Sequence, residues 1–541
     1  MTRRRVQLVS LALVTLLGWL VVYPILLVVG AAADGPALYT FITQPGERAA
    51  LWASVWISLA SVALAAAIGV PLAFLFEWLE FPGRKTLGAL VALPVVLPPL
   101  VGVIAFLFLY GEAGFLARAV QGVLGLERAP WRLQGAGAIL LVHAYSLYVY
   151  FYLFTRAGLA RLDGSMLEAA HALGAGRWAT LRRVIVPLLR PALAGAALLT
   201  FMTALGSFSA PYVFGGGFRM MPTQIVASKL NGNDALAMVE TVALASLALI
   251  GLAVLRRAEG DLPLAALGKG AAPRRRPLRS TATRALATTA GWVLAVVLLL
   301  PHLTLVLVSL VPFGTWTTEP WPPVLNADNY RRVFSELERL RPLVNSLWMA
   351  AATTIVAVGL ALAAGWAAVR HRVAWRRVIE ALVALPWALP GTVFAIALAT
   401  AFGVHRPLAL RWVLVGTAVI LPLGLLVRGL PLTGRALLAG FRQLDPALEE
   451  AAASLGAGGW RTLWRVVLPQ LRPALMAGAS LAFIAALGDF VTSIVLYTYE
   501  TRPISIEILS SLRLNETGVA AAFGVVVMGV SAVALGVGAR R

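Results

Sequence analysis

Side chains able to do chemistry are scarce in this chain. It has 541 residues, no cysteine and five histidines. Without thiols there is no disulfide, iron–sulfur cluster or zinc–thiolate site. The histidines are too scattered to supply a metal-ligand set or the acid–base cluster of a membrane enzyme such as a lipid-processing one. Gly268-Lys269-Gly270 is not a phosphate loop, because no Ser or Thr follows the lysine and no strand precedes it. No catalytic residue, metal or cofactor is therefore expected. What remains is a handful of polar residues inside apolar runs: Asp489 in "ALGDF", Ser207 at the matching place in "ALGSF", His143 followed by Tyr145, Ser146, Tyr148, Tyr150 and Tyr152, and Glu240. Ionisable groups at membrane depth are costly and usually face a cavity or a partner. Their chemistry would be solvation of a passing solute, as the polar lining of a translocation path. The alternatives are an interhelical hydrogen bond for Asp489, an interfacial aromatic belt for the tyrosines and a satisfied structural role for His143. For the tyrosines the belt is the favoured reading.

These residues need a scaffold, and composition names it. The chain is 60% hydrophobic and 13% charged, far too apolar to cover the surface of a soluble protein of this length. The apolar residues fall into blocks of the length a helix needs to cross the hydrocarbon core. Twelve such blocks are expected, near residues 7–33, 51–78, 87–112, 136–158, 191–215, 235–257, 285–311, 343–370, 379–404, 407–430, 473–498 and 516–538. The fold class is thus all-α, a polytopic membrane protein. The first block follows Thr2-Arg3-Arg4-Arg5 but is too long for a signal peptide and lacks a convincing small-residue cleavage site, so it reads as a retained span. The pairs Pro94/Pro98 and Pro386/Pro390 lie at the heart of the third and ninth spans and mark kinks or breaks. A net charge of +21 would suggest nucleic acid in a soluble domain, but position decides. With the N-terminus in the cytoplasm, inside segments carry 31 Lys and Arg and outside segments 14. That is the positive-inside bias. It predicts cytoplasmic termini and basic loops facing an anionic leaflet rather than nucleic acid.

The chain also repeats itself. "LEAAHALGAGRWATLRRVIVPLLRPAL" (Leu167–Leu193) and "EEAAASLGAGGWRTLWRVVLPQLRPAL" (Glu449–Leu475) align without a gap at an offset of 282, identical at 18 of 27 positions. "LVALPVVLPP" echoes "LVALPWALPG" at an offset of 292, where Ser54 and Trp56 also match Ser346 and Trp348. The change of offset places ten extra residues in the first half, within Gly111–Gly135. The two six-helix halves, 1–257 and 285–541, are parallel repeats because six is even. Residues 258–284, rich in Arg, Pro, Gly and Ala, read as a cytoplasmic linker.

Each copy of the repeated stretch follows the fourth span of its half. Asp163 and Asp445 are plausible N-caps; Gly174 and Gly456 should end a short helix in the left-handed conformation. A second amphipathic helix should then run to Pro187 or Pro469. The product is a compact knob between two spans. A basic helix pair lying on lipid headgroups would explain its Arg and Trp content, but not two small-residue turns at fixed spacing.

Glu-Ala-Ala, three residues, Gly, nine residues, then aliphatic, any, aliphatic, Pro resembles the signature loop of binding-protein-dependent ABC importer permeases. It is matched by Glu168, Ala169, Ala170, Gly174 and Pro187, and again by Glu450, Ala451, Ala452, Gly456 and Pro469. The resemblance implies that each knob is a coupling helix docking on one of two ATP-binding cassette ATPase subunits. It implies a bacterial inner-membrane subunit without catalysis of its own, supplied by a periplasmic or lipid-anchored binding protein. The fused layout, "LYGEAGFLARAVQGVLGLE", "LQGAGAILLVHAY", "GGGF" and "TQIV" are similar to the ferric iron and thiamine type, with phosphonate and polyamine permeases as further relatives. An ion-driven secondary transporter could share twelve helices but would lack the knobs and carry more charge at the midplane.

Overall fold

A computed structural model of the chain describes residues 3–259, 276–278, 280–316, 321–409 and 413–539. Among these it is helical, apart from a two-residue parallel pair of Leu79–Glu80 with Arg276–Pro277. Eleven helices are long and apolar enough to cross a membrane: Val6–Ala31, Pro45–Trp78, Pro99–Leu124, Gly135–Ala160, Arg177–Leu205, Asp234–Arg257, Thr281–Ser309, Leu337–Arg370, Ile420–Gln443, Gly459–Leu487 and Thr517–Gly538. Arg376–Trp387 and Gly391–Phe402, bent by 106° at the break between them, make the twelfth when counted as one span. Most of the linker lies outside the described residues.

Local chemistry explains where helices break. Prolines remove a backbone donor and clash with the preceding turn. The ninth span accordingly passes through a 3-10 turn at Leu385–Trp387 and restarts at Gly391; the third does the same at Leu93–Val96 and restarts at Pro99. The second helix of each knob does not stop at Pro187 or Pro469, as the sequence suggested. A π turn, Leu181–Ile185 or Leu463–Val467, widens the helix just before the proline, and the same helix continues into the membrane. The fifth and eleventh spans therefore begin earlier than expected and end at Leu205 and Leu487. The tenth span is the largest correction. It runs from Ile420 to Gln443 rather than 407–430, because its knob-side half carries Arg435 and Arg442, which mask it in a hydropathy reading.

The first span of each half crosses over to the other half. Trp19 sets its ring edge against Phe402, with centroids 5.4 Å apart, and its indole N–H donates to the Leu408 carbonyl at 2.6 Å. Symmetrically, Leu305 and Val308 of the seventh span pack with Leu100, Val101 and Ile104 of the third. The extra residues of the first half fold into Phe115–Leu124, whose Arg118 stacks 4.4 Å over Trp316 of the second half. Ser54 and Ser346, the matched serines, accept hydrogen bonds at 2.8 Å from Met221 N and Ile504 N. Each seals the start of a short helix, Met221–Leu230 or Ile504–Arg513.

Candidate coupling knobs and central cavity

The knobs are built by local rules. Asp163 accepts from Ser165 N, and Asp445 from Ala447 N, both at 2.9 Å, which starts the helices Gly164–Ala172 and Pro446–Ser454. Both stop at a left-handed glycine, Gly174 and Gly456, each with φ of +78°. The Ala175 N–H reaches the Ala170 carbonyl at 2.9 Å and the Ala457 N–H the Ala452 carbonyl at 3.0 Å, the paired closure that satisfies orphan helix carbonyls. Neither short helix buries a single residue. Glu168 and Glu450 are exposed. At the tips Leu173 is 87% and Leu455 89% exposed, with Trp178 and Trp460 at 73% and 72%. Packing against this chain does not account for such side chains; a partner surface would. The second knob has a tether that the first lacks: Arg370 Nε lies 2.9 Å from Glu449 Oε2, where the first half has Trp78 and Leu167.

Between the halves lies a cavity of about 290 Å³, walled by both broken spans (Pro94, Pro98, Pro386, Pro390). It sits deep in the bundle, since Arg428 on its wall is 15 residues from the knob-side end of its helix, roughly 22 Å. His143, Tyr145 and Ser207 line it. The His143 ring is satisfied on both sides, with Ser61 Oγ 2.8 Å from Nδ1 and Ser207 Oγ 2.9 Å from Nε2. The Tyr145 hydroxyl donates to the Leu298 carbonyl at 2.8 Å. Tyr148 and Tyr152 are fully buried and donate to the Val91 and Gly88 carbonyls. These three tyrosines thus lace helices together instead of forming an interfacial belt.

Asp489 stands just behind the wall. Its Oδ1 accepts from Thr492 N (2.8 Å) and Ser493 N (3.1 Å), which seals the helix Val491–Leu496; its Oδ2 accepts from the Thr492 hydroxyl (3.1 Å) and lies 3.3 Å from Arg428 Nε. Arg428 is the functional candidate that the sequence reading overlooked. With the tenth span placed at 407–430, it fell at a helix boundary, where a basic residue is unremarkable. Glu240 is not on this cavity. It belongs to a separate buried cluster, where it accepts from the Ser228 hydroxyl at 2.7 Å, close to Gln224, which donates to Glu47 at 2.7 Å.

The halves meet along a seam related by the repeat. Phe208 and Phe490, equivalent at the offset of 282, pack with ring centroids 5.4 Å apart. Beside them, Gly206 faces Pro390 and Gly488 faces Pro98. A Cβ on Gly488 would come within 2.4 Å of the Pro98 ring, so only glycine allows this approach.

The model of the binding-protein-dependent transport system inner membrane component family matches residues 65–259 and again 355–539. The chain belongs to this family. It is a fused permease carrying two copies of the family's unit. A probable ABC transporter permease, y4fN, from Sinorhizobium fredii is 31% identical over 85% of this chain and 81% of its own length. A ferric transport system permease, FbpB, from Actinobacillus pleuropneumoniae is 28% identical over 80% of this chain; the match spans 62% of that protein's length. A molybdenum transport permease, ModB, from Mycobacterium tuberculosis is 30% identical over 42% of this chain and 86% of its own length.

Proposed function

We propose that this permease forms the membrane channel of a bacterial importer driven by two ATPase subunits, each docked on one knob. The observation that carries the reading is the pair of helices that bury nothing and end in a bare leucine and tryptophan. Two identical partners need two such surfaces, and this chain has two. The 31-to-14 distribution of basic residues supports placing the knobs, both termini and the linker in the cytoplasm. The opposite face then receives cargo from a periplasmic or lipid-anchored binding protein. In this arrangement the Phe208–Phe490 seam is the outer gate in its closed position. ATP-driven closure of the ATPases moves the knobs together and parts the seam; loaded binding protein and nucleotide each favour the open state by binding it better.

Ferric iron is the proposed cargo, supported by two ferric transport permeases that are each 28% identical, over 80% and 76% of this chain. Co-expression with the genomic ATPase, followed by co-purification, tests the central claim. Leu173→Asp and Leu455→Asp should each reduce ATPase retention while leaving the permease in the membrane. Wild-type retention by both variants would overturn the docking assignment.

A further inference from the structure

We propose that the central cavity is a transit site for a small anion, with Arg428 as its recognition group; the proposal rests on the importer reading above and narrows its cargo. Among the described residues, Arg428 carries the one formal charge on the cavity wall, and no carboxylate lines it. The nearest, Asp489, has its oxygens occupied by two backbone N–H groups, the Thr492 hydroxyl and Arg428 Nε. In that ion pair the Arg428 Nε lies 3.3 Å from Asp489 Oδ2. Nη1 is buried against Gly391 and has no acceptor among the described residues, while the side chain as a whole keeps 37% of its surface exposed. An arginine inside a membrane bundle is costly unless something compensates it, and an anion's oxygens would complete its donor fork.

The surrounding chemistry has the same sign. Hydroxyls of Ser146 and Ser209 line the cavity and can donate to an oxyanion, whereas the Thr203 hydroxyl already donates to the Leu199 carbonyl and His143 has both ring nitrogens engaged. The backbone is shaped for the guanidinium. At Gly391, the first residue after the ninth-span break, a Cβ would fall 1.5 Å from Arg428 Nη1. Glycine at the break therefore makes the space that Arg428 fills. In the first half the positions equivalent to Arg428 and Asp489 are Ser146 and Ser207, so the cavity has one cationic wall and one hydroxyl wall. Such a site disfavours cationic cargo such as thiamine or a polyamine, and a bare ferric ion. Iron would cross it as an anionic chelate, and a tetrahedral oxyanion would suit it equally.

Calorimetry on the full-length permease in phosphatidylcholine nanodiscs tests this, with sulfate, molybdate and ferric citrate as probes and thiamine and spermidine as cationic controls. Saturable binding of at least one anion is expected, weakened at least tenfold by Arg428→Gln. Because Arg428→Gln leaves Asp489 without its cation and could unfold the site, the double variant Arg428→Gln/Asp489→Asn is measured beside it and should lose binding equally. Absence of saturable binding for all three anions, binding of a cation in their place, or wild-type affinity in the double variant would overturn the proposal. ATPase retention by the wild type and its loss in the knob variants report separately on the importer reading, so the two can fail independently.

Discussion

The two halves of this permease agree in their scaffolds and differ in their polar cores. Both have the aspartate cap, the left-handed glycine, the π turn before proline, the broken third or ninth span and the serine that caps a short helix on the far side. At the axis they part. The first half joins its fourth span to the end of its fifth through a neutral pair, His143 and Ser207 at 2.9 Å. The second half makes the equivalent link through an ion pair, Arg428 and Asp489 at 3.3 Å. A second divergence lies on the far side. Glu47 meets Gln224 in the first half, while the matching Arg339 stands at 2.9 Å from Glu516 in the second. Positions that build the backbone are held by geometry, so both copies keep them. Positions that face the axis or a neighbouring polar group are free to change in pairs.

The largest expected effect tests the part that is shared. Nothing lies within 4 Å of where a Cβ on Gly174 or Gly456 would be, so a valine there strains only the left-handed backbone, by about 1–3 kcal/mol. Gly174→Val and Gly456→Val should each leave the protein in the membrane and, on the proposed reading that two ATPases close together, abolish uptake. The Arg370–Glu449 tether should make Gly456→Val the milder variant for ATPase retention. Equal loss in co-purification would show that the tether does not matter.

The next effect sharpens the difference at the axis. Asp489→Ala removes the acceptors at a helix start and leaves Arg428 uncompensated, at a cost on the order of 3 kcal/mol for a broken buried pair. Ser207→Ala removes one neutral hydrogen bond, about 1 kcal/mol. Thermal unfolding in detergent should rank them in that order, and Asp489→Asn should assemble with its ATPase yet transport poorly. If Ser207→Ala is as damaging as Asp489→Ala, the contrast between neutral and ionic links is wrong. Full transport by Asp489→Asn would make Asp489 a structural residue alone.

Smaller effects should be equal in the two halves where the scaffold is shared. Ser54→Ala and Ser346→Ala each remove one capping hydrogen bond of 2.8 Å and should each cost about 1 kcal/mol, read as matched shifts in melting temperature. Acid sensitivity should be unequal. Burial pushes the Glu516 carboxyl up, but hydrogen bonds and charge from Arg339 and Arg332 outweigh it and hold the group below its usual value of 4.5. Glu336, bonded to the same arginines, is lowered in the same way. Both groups bind protons more weakly folded than unfolded, so their contribution is complete above pH 4.5 and fades as pH falls through the lowered folded values. Acidification below pH 4.5 should therefore loosen the second half's far-side cluster first, seen as faster proteolysis near Asp328–Ser335. Glu516→Gln should reduce that pH dependence to the part that Glu336 carries.

Much of this architecture was legible in the sequence because its causes are local. Apolar run length dictates a span, a side chain accepting from a nearby backbone N–H starts a helix, and a glycine at positive φ ends one. Asp163, Asp445, Gly174 and Gly456 stand where those rules put them, and the repeat itself announces a fused permease. The proline pairs foretold breaks, though not which residues the breaks would bring together. What depended on tertiary structure was every relation between residues far apart in the chain. The tenth span is held by packing that outweighs its poor hydropathy, and its register alone turns Arg428 from a boundary charge into a cavity wall. Burial of Tyr148 and Tyr152 against carbonyls at the third-span break, the meeting of Phe208 with Phe490, and the withdrawal of Glu240 into a side cluster arise the same way. Periodicity shows which face of a helix is polar; only the packed bundle decides what that face meets.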